Sequence, residues 1–180
     1  TVRVGGSVTK NFETVNHRFP MLSLGNTYSL EELQEWIIRV QKLAPEATFV
    51  CELKYDGVAI GIQYVNGALT RAVTRGDGTQ GDDITTNVRT IKSIPLLLNP
   101  PFPEDFEIRG EIVLPHARFE DLNKQRQNQG LPLFANPRNC ASGTLKLQDS
   151  GEVAKRGLDA YLYYVLPEGI LASNHSQSIA

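Results

Sequence analysis

Apolar and polar residues alternate through the middle of the chain. In "TFVCELKYDGVAIGIQYV", residues 48–65, Phe49, Cys51, Leu53 and Tyr55 interleave with Val50, Glu52, Lys54 and Asp56. That period of two puts one set on each face of a strand, one apolar and one charged. The strand "ALTRAVTR" follows through Asn66-Gly67, a pair that tolerates positive φ and predicts a tight hairpin. "FEIRGEIVL" repeats the pattern, with Glu107, Arg109 and Glu111 on one face and Phe106, Ile108, Ile112 and Leu114 on the other. "LDAYLYYVL" is a final apolar strand.

Helical spacing separates these strands. Ser29 caps a helix with Glu32 as its capping-box partner, and Leu30, Leu33, Ile37 and Val40 form one stripe that ends before Pro45. "ITTNVRTIKSI" predicts a short helix, and "ARFEDLNKQRQNQG" a longer one stopped by Gly130. "FANPRNCASGTLK", rich in Asn and Gly, is expected as an irregular loop. The opening 26 residues, broken by Gly5, Gly6 and Pro20, read as an extended lead-in, and the small polar "ASNHSQSIA" as a cut end. Hairpin-linked strands with separated helices predict an α+β class with largely antiparallel sheets and flanking helices.

Composition changes this picture little. The 180 residues suffice for one domain with a core, and 41% hydrophobic with 21% charged residues is ordinary for a soluble protein. A net charge of -2 gives no bulk attraction to nucleic acid, so any such binding needs a local basic patch. Cys51 and Cys140 lack disulfide or zinc spacing, and with no bilayer-spanning stretch or signal-peptide core the chain reads as cytoplasmic, with no membrane partner.

"GDGTQG" at 76–81 matches GxGxxG after a strand, but Asp77, Asp82 and Asp83 would repel a pyrophosphate there. A turn whose glycines supply unusual backbone angles accounts for it better than a Rossmann-type oxidoreductase site, and a calcium loop lacks its ligands. Lys54-Tyr55-Asp56-Gly57 is a KxDG motif, expected by chance in about 4% of chains this long.

Context raises that motif's weight. "CELKYDGVAI", "TRGDGTQGDDITTNVRTI", "EIRGEIVLP" and "FANPRNCASGTLK", in this order, closely resemble the adenylation domain of the bacterial NAD-dependent DNA ligases, as do "TVRVGG" and "HRFPMLSLGN". The resemblance runs from Thr1 to about Val165 and implies the nucleotidyltransferase fold, ATP-grasp-like, of those ligases. It implies residues 1–28 as a lead-in segment and 29–180 as an incomplete adenylation domain, without the family's small N-terminal domain, OB-fold, zinc and helix-hairpin-helix regions. By that likeness Lys54 attacks the α-phosphorus of NAD and keeps AMP, which passes to a 5′-phosphate at a nick before the 3′-hydroxyl seals it.

An amine suits this because its bond to phosphorus is labile enough to discharge. Glu52 and Asp56 would favour the charged lysine, so Mg2+ on the phosphates and further basic groups must offset them. The resemblance assigns Glu52 to the adenine amino edge, Arg75 and Glu111 to the nucleotide near the ribose, Tyr163 to stacking on adenine, and Ser23 and Leu24 to NAD beside the lysine. Without it, Tyr163 is a core aromatic, Ser23-Leu24 a turn, and Glu111 and Arg75 solvated surface charges.

Arg138 and Lys146 match positions that touch nick phosphates, although many family members carry arginine at the second, and lysine lacks the bidentate fork. Cys140, His17, His116 and His175 have no metal or catalytic spacing and are read as structural, and no metal ligand is assigned. The implied partner is nicked double-stranded DNA and the expected state a monomer, with this fragment alone unable to ligate. The rival readings are an ATP-dependent ligase or RNA-capping nucleotidyltransferase, and a noncatalytic nucleic-acid-binding module.

Overall fold

In chain order the elements are β1 (Thr14–Asn16), α1 (Leu30–Leu43), β2 (Val58–Val65), β3 (Ala68–Thr74), β4 (Gln80–Asp82) and α2 (Thr85–Val88). They continue as β5 (Asp105–Val113), α3 (His116–Asn128), α4 (Pro137–Leu145), α5 (Ser150–Arg156), β6 (Asp159–Leu166) and α6 (His175–Ser178). The structure, a computed structural model, describes residues 11–167, 171 and 174–178, so the resemblance at "TVRVGG" lies outside the described residues. The chain divides into two compact units, Thr1–Met21 with Tyr55–Ala180, and Leu22–Lys54.

The larger unit is built on a four-stranded sheet in the order β3-β2-β5-β6, antiparallel throughout. β1 and β4 form a separate antiparallel pair. Mixed α and β structure with antiparallel sheets and flanking helices is the class expected from the sequence. Asn66 (φ 49°) and Gly67 (φ 75°) make the hairpin between β2 and β3, as their positive-φ tolerance predicts.

One face of the sheet is apolar. Ile60, Ile62, Phe106 and Ile112 meet Ile84, Val88 and Ile94 with Cys140, Ala141 and Leu145 of α4 and Val153 of α5. Burying each of these isoleucines contributes about 2 kcal/mol of transfer free energy. Tyr64 stacks on Phe106 at 5.4 Å and donates its hydroxyl to the Pro95 carbonyl at 2.7 Å, so even the large aromatic in this layer satisfies its polar atom.

Two predicted elements differ. The strand expected over 48–65 begins only at Val58, and Phe49, Leu53, Glu52, Lys54 and Asp56 are exposed rather than sorted onto two faces. The ladder to β5 starts with Val58↔Ile112, and among the described residues nothing pairs the segment before it. Alternation defines faces only where a neighbouring strand takes up the backbone hydrogen bonds. "FANPRNCASGTLK", expected as a loop, contains α4: Asn136 caps it by accepting from Asn139 N–H at 2.7 Å, and Pro137 occupies its first turn. Cys140, Ala141, Thr144 and Leu145 lie on its buried face. β1, β4 and α5 had no clear periodic signal.

In the smaller unit α1 runs where predicted. Glu32 N–H donates to Ser29 Oγ at 3.2 Å while Tyr28 N–H donates to the Glu32 carboxylate at 2.7 Å, closing the box one residue earlier than the usual form. Trp36 packs edge-on against Phe49 at 5.3 Å. No helix among the described residues is long and apolar enough to cross a membrane.

Candidate nucleotide site

The second face of the large sheet carries charge and aromatics. Arg75 N–H donates to the Ala59 carbonyl at 3.0 Å, extending the β2–β3 register by one position. Ala59 opposes Glu111, which opposes Tyr161. Arg75, Ala59, Glu111 and Tyr161 therefore form one row across the strands, with the small Ala59 leaving room between charged neighbours.

Tyr163 is the extra residue where the β5–β6 register shifts, a bulge that re-aims its side chain. Burial, then the nearby Glu111 carboxylate, push its hydroxyl above the usual tyrosine range, and Arg109 opposes them. Tyr163 thus shares a neighbourhood with Glu111 and Arg109. At 39% exposure it is no core aromatic, and at 8% exposure Glu111 is no solvated surface charge. A buried carboxylate can accept from hydroxyl or amino groups, an accessible tyrosine ring can stack on a base, and a guanidinium can pair with phosphate.

Arg109 had no role in the sequence reading. It donates to Glu107 at 3.0 Å and to the carbonyls of Phe19 and Pro20 at 2.7 and 3.0 Å, drawing the lead-in over this sheet face. The signal in sequence was its place between Glu107 and Glu111, but its two carbonyl partners lie some 90 residues away. His17 donates Nε2–H to the Arg75 carbonyl at 2.9 Å and Met21 N–H donates to Gly78 at 2.8 Å, so the same lead-in braces the turn below Arg75.

That turn is the GxGxxG segment. It joins β3 to β4, which belong to different sheets, and the helix beyond it is four residues long, so it is a turn between strands and not a dinucleotide loop. Gly76 (φ 56°) and Gly78 (φ 96°) supply left-handed backbone, and a Cβ on Gly76 would lie 1.9 Å from the Gln80 carbonyl oxygen. Asp77 accepts from Gln80 N–H, Thr79 Oγ1–H and Thr79 N–H, bonds that lower its carboxyl to about 2. A carboxyl depressed on folding stabilises the native state above its unfolded value near 4 and stops doing so as pH falls through about 2. Denaturation of the wild type and Asp77→Asn between about pH 4 and pH 2 is expected to show a shallower acid loss in the variant. Parallel acid limbs would contradict the account.

The last three residues of KxDG are anchored on the large unit. Tyr55 stacks on Tyr161 with centroids 3.9 Å apart and planes within 3°, and Asp56 pairs with Arg138 at 2.5 Å. Gly57 passes so close to β5 that a Cβ would lie 2.2 Å from the Ile112 carbonyl oxygen. Ser23, Leu24, Glu52 and Lys54 belong to the smaller unit, where all four are exposed, so the candidate residues divide between the two units.

Arg138 and Lys146 mark the two ends of α4, on the apolar side of the sheet away from Glu111, about 12 Å apart along the helix. Lys146 Nζ meets Asp82 at 3.1 Å, and both cations keep half or more of their side chains exposed, at 50% and 58%. Among the described residues no three His, Cys, Asp or Glu side chains group so as to hold a metal ion.

These features define an α+β domain with an acidic and aromatic sheet face and a separate pair of exposed cations. The chain belongs to the NAD-dependent DNA ligase adenylation domain family, which it matches over residues 9–179. It is 54% identical over 99% of its length to a DNA ligase of Cytophaga hutchinsonii, and 56% identical over 99% to one of Parabacteroides distasonis. A DNA ligase of Christiangramia forsetii is 57% identical over 93% of the chain. The chain spans 27% of the length of the first two relatives and 26% of the third.

Proposed function

We propose that this chain is the nucleotide-transferring part of an NAD-dependent DNA ligase, with the nucleotidyltransferase fold of that family and residues 1–28 as the lead-in to the partial domain 29–180. The observation that carries the reading is the buried Glu111 sharing one sheet face with Arg75 and Tyr163 in a member of this family. Lys54 Nζ, as the free amine, attacks the α-phosphorus of NAD, forming a phosphorus-nitrogen bond as the bond to nicotinamide mononucleotide breaks. NAD is consumed here as a substrate. The held AMP passes to the 5′-phosphate of nicked double-stranded DNA, and the 3′-hydroxyl then displaces it.

Tyr163 stacks on the adenine, Glu52 accepts from its amino edge, Glu111 and Arg75 hold the nucleotide near the ribose, and Ser23 and Leu24 meet NAD beside Lys54. The donor set fits: carboxylates for amino and hydroxyl groups, a ring for a base, a cation for phosphate. Mg2+ would neutralise phosphate charge, bound through the phosphates rather than a protein cage. Arg138 and Lys146 supply cations to the nick phosphates, exchanging Asp56 and Asp82 for DNA. Cytoplasmic location, a monomeric state and an inability of this chain to seal nicks by itself belong to the same reading.

Nick sealing by the chain with its native flanking sequence, supplied with Mg2+ and either NAD or ATP, tests the donor. Sealing with NAD and not ATP is expected, and equal sealing with ATP would overturn the assignment.

A further inference from the structure

Asn87 is 1% exposed, inside the layer where Val88, Ile84 and Leu145 pack. Its amide donates to the carbonyls of Leu145 at 2.7 Å and Leu147 at 2.8 Å. Its own Oδ1 has no hydrogen-bond partner among the described residues. A buried orphan acceptor is unfavourable, and an apolar residue of similar size would avoid it, so the two donated bonds are what asparagine adds at this position.

The two carbonyls flank Lys146, the residue that ends α4. Carbonyls at a helix C-terminus lack partners within the helix and need them from elsewhere. Five residues before Asn87, Asp82 holds the Lys146 ammonium at 3.1 Å. One short segment thus grips Lys146 twice, its head through Asp82 and its main chain through Asn87.

We propose that Asn87 is a positioning residue for a phosphate contact made by Lys146. The ligand is a backbone phosphate of nicked DNA, and the inference rests on the reading of Lys146 as a DNA-contacting cation. Asp82 is displaceable, because a phosphate can replace one carboxylate on an exposed ammonium, whereas the buried amide keeps the backbone fixed while that exchange occurs.

The test is the salt dependence of binding to a nicked duplex with a 5′-phosphate, using the chain with its native flanking sequence and variants shown to be folded by thermal melting. Lys146→Ala should lower the slope of log affinity against log salt by about 0.9, the release expected for one phosphate contact. Asn87→Leu should lower it by a similar amount, and the double variant should lose no more than either single one. If the leucine variant does not fold, Asn87→Ala takes its place. A normal slope in a folded Asn87 variant, with a lowered slope in Lys146→Ala, overturns the positioning role and leaves the DNA reading intact. A normal slope in Lys146→Ala overturns both.

Discussion

Replacing Lys54 with alanine is expected to abolish covalent attachment of AMP, measured as the mass added on incubation with NAD and Mg2+. Alanine offers no nucleophile. Lys54→Arg should fail equally, because a guanidinium stays protonated at any accessible pH and has no lone pair to give phosphorus. A nick that already carries AMP on its 5′-phosphate needs only attack by its 3′-hydroxyl, so both variants should keep measurable sealing of that substrate in the chain with its native flanking sequence. Retained AMP attachment in Lys54→Ala would move the nucleophile elsewhere, and loss of sealing on the pre-adenylated nick would give Lys54 a role beyond attack.

Gly57→Ala should produce the largest loss of stability among single-methyl additions near the motif. The added Cβ would lie 2.2 Å from the Ile112 carbonyl oxygen and 2.9 Å from Val113 Cγ1, at the first rung between β2 and β5. Backbone on one side and a packed side chain on the other leave only a shift of the strand as relief, at a cost of about 3 kcal/mol. Urea denaturation measures this directly, with Gly143→Ala as the control because nothing lies within 4 Å of a Cβ there. Equal midpoints for the two variants would contradict the close approach. The glycine of KxDG is thus needed by the sheet whatever the lysine does, which links the motif's spacing to the fold.

Local signals in the sequence were informative where the cause was local. Ser29 and Glu32 mark the start of α1, Asn66-Gly67 marks the hairpin, and the alternation in "FEIRGEIVL" marks β5, each because the determinant lies within a few residues of its effect. The same alternation misled at 48–57, since a strand also requires a neighbour, and no count along one segment reveals whether a neighbour exists. Asn and Gly in "FANPRNCASGTLK" suggested a loop, yet Asn136 is a cap and the burial of Cys140, Ala141 and Leu145 outweighs the poor helix propensity of Gly143.

The charged face of β5 was legible, but its consequence was not. Glu107 and Glu111 read as solvent-facing when alternation is the only guide, yet both are buried, and Glu107 holds Arg109, whose guanidinium reaches the Phe19 and Pro20 carbonyls. Asn87 is a similar case. Nothing in "TTNV" shows that its amide reaches carbonyls 58 and 60 residues away. The KxDG motif points to Lys54 as the proposed nucleophile, while contacts between distant segments determine which charged residues are buried and which stay exposed.

The central claim is that Lys54 becomes the carrier of AMP drawn from NAD. Intact-mass spectrometry with peptide mapping, after incubation with NAD and Mg2+, tests it most directly on the chain with its native flanking sequence. The account predicts one AMP, mapped to the peptide containing Lys54. A folded protein that gains no AMP, or gains it on another residue, would contradict it.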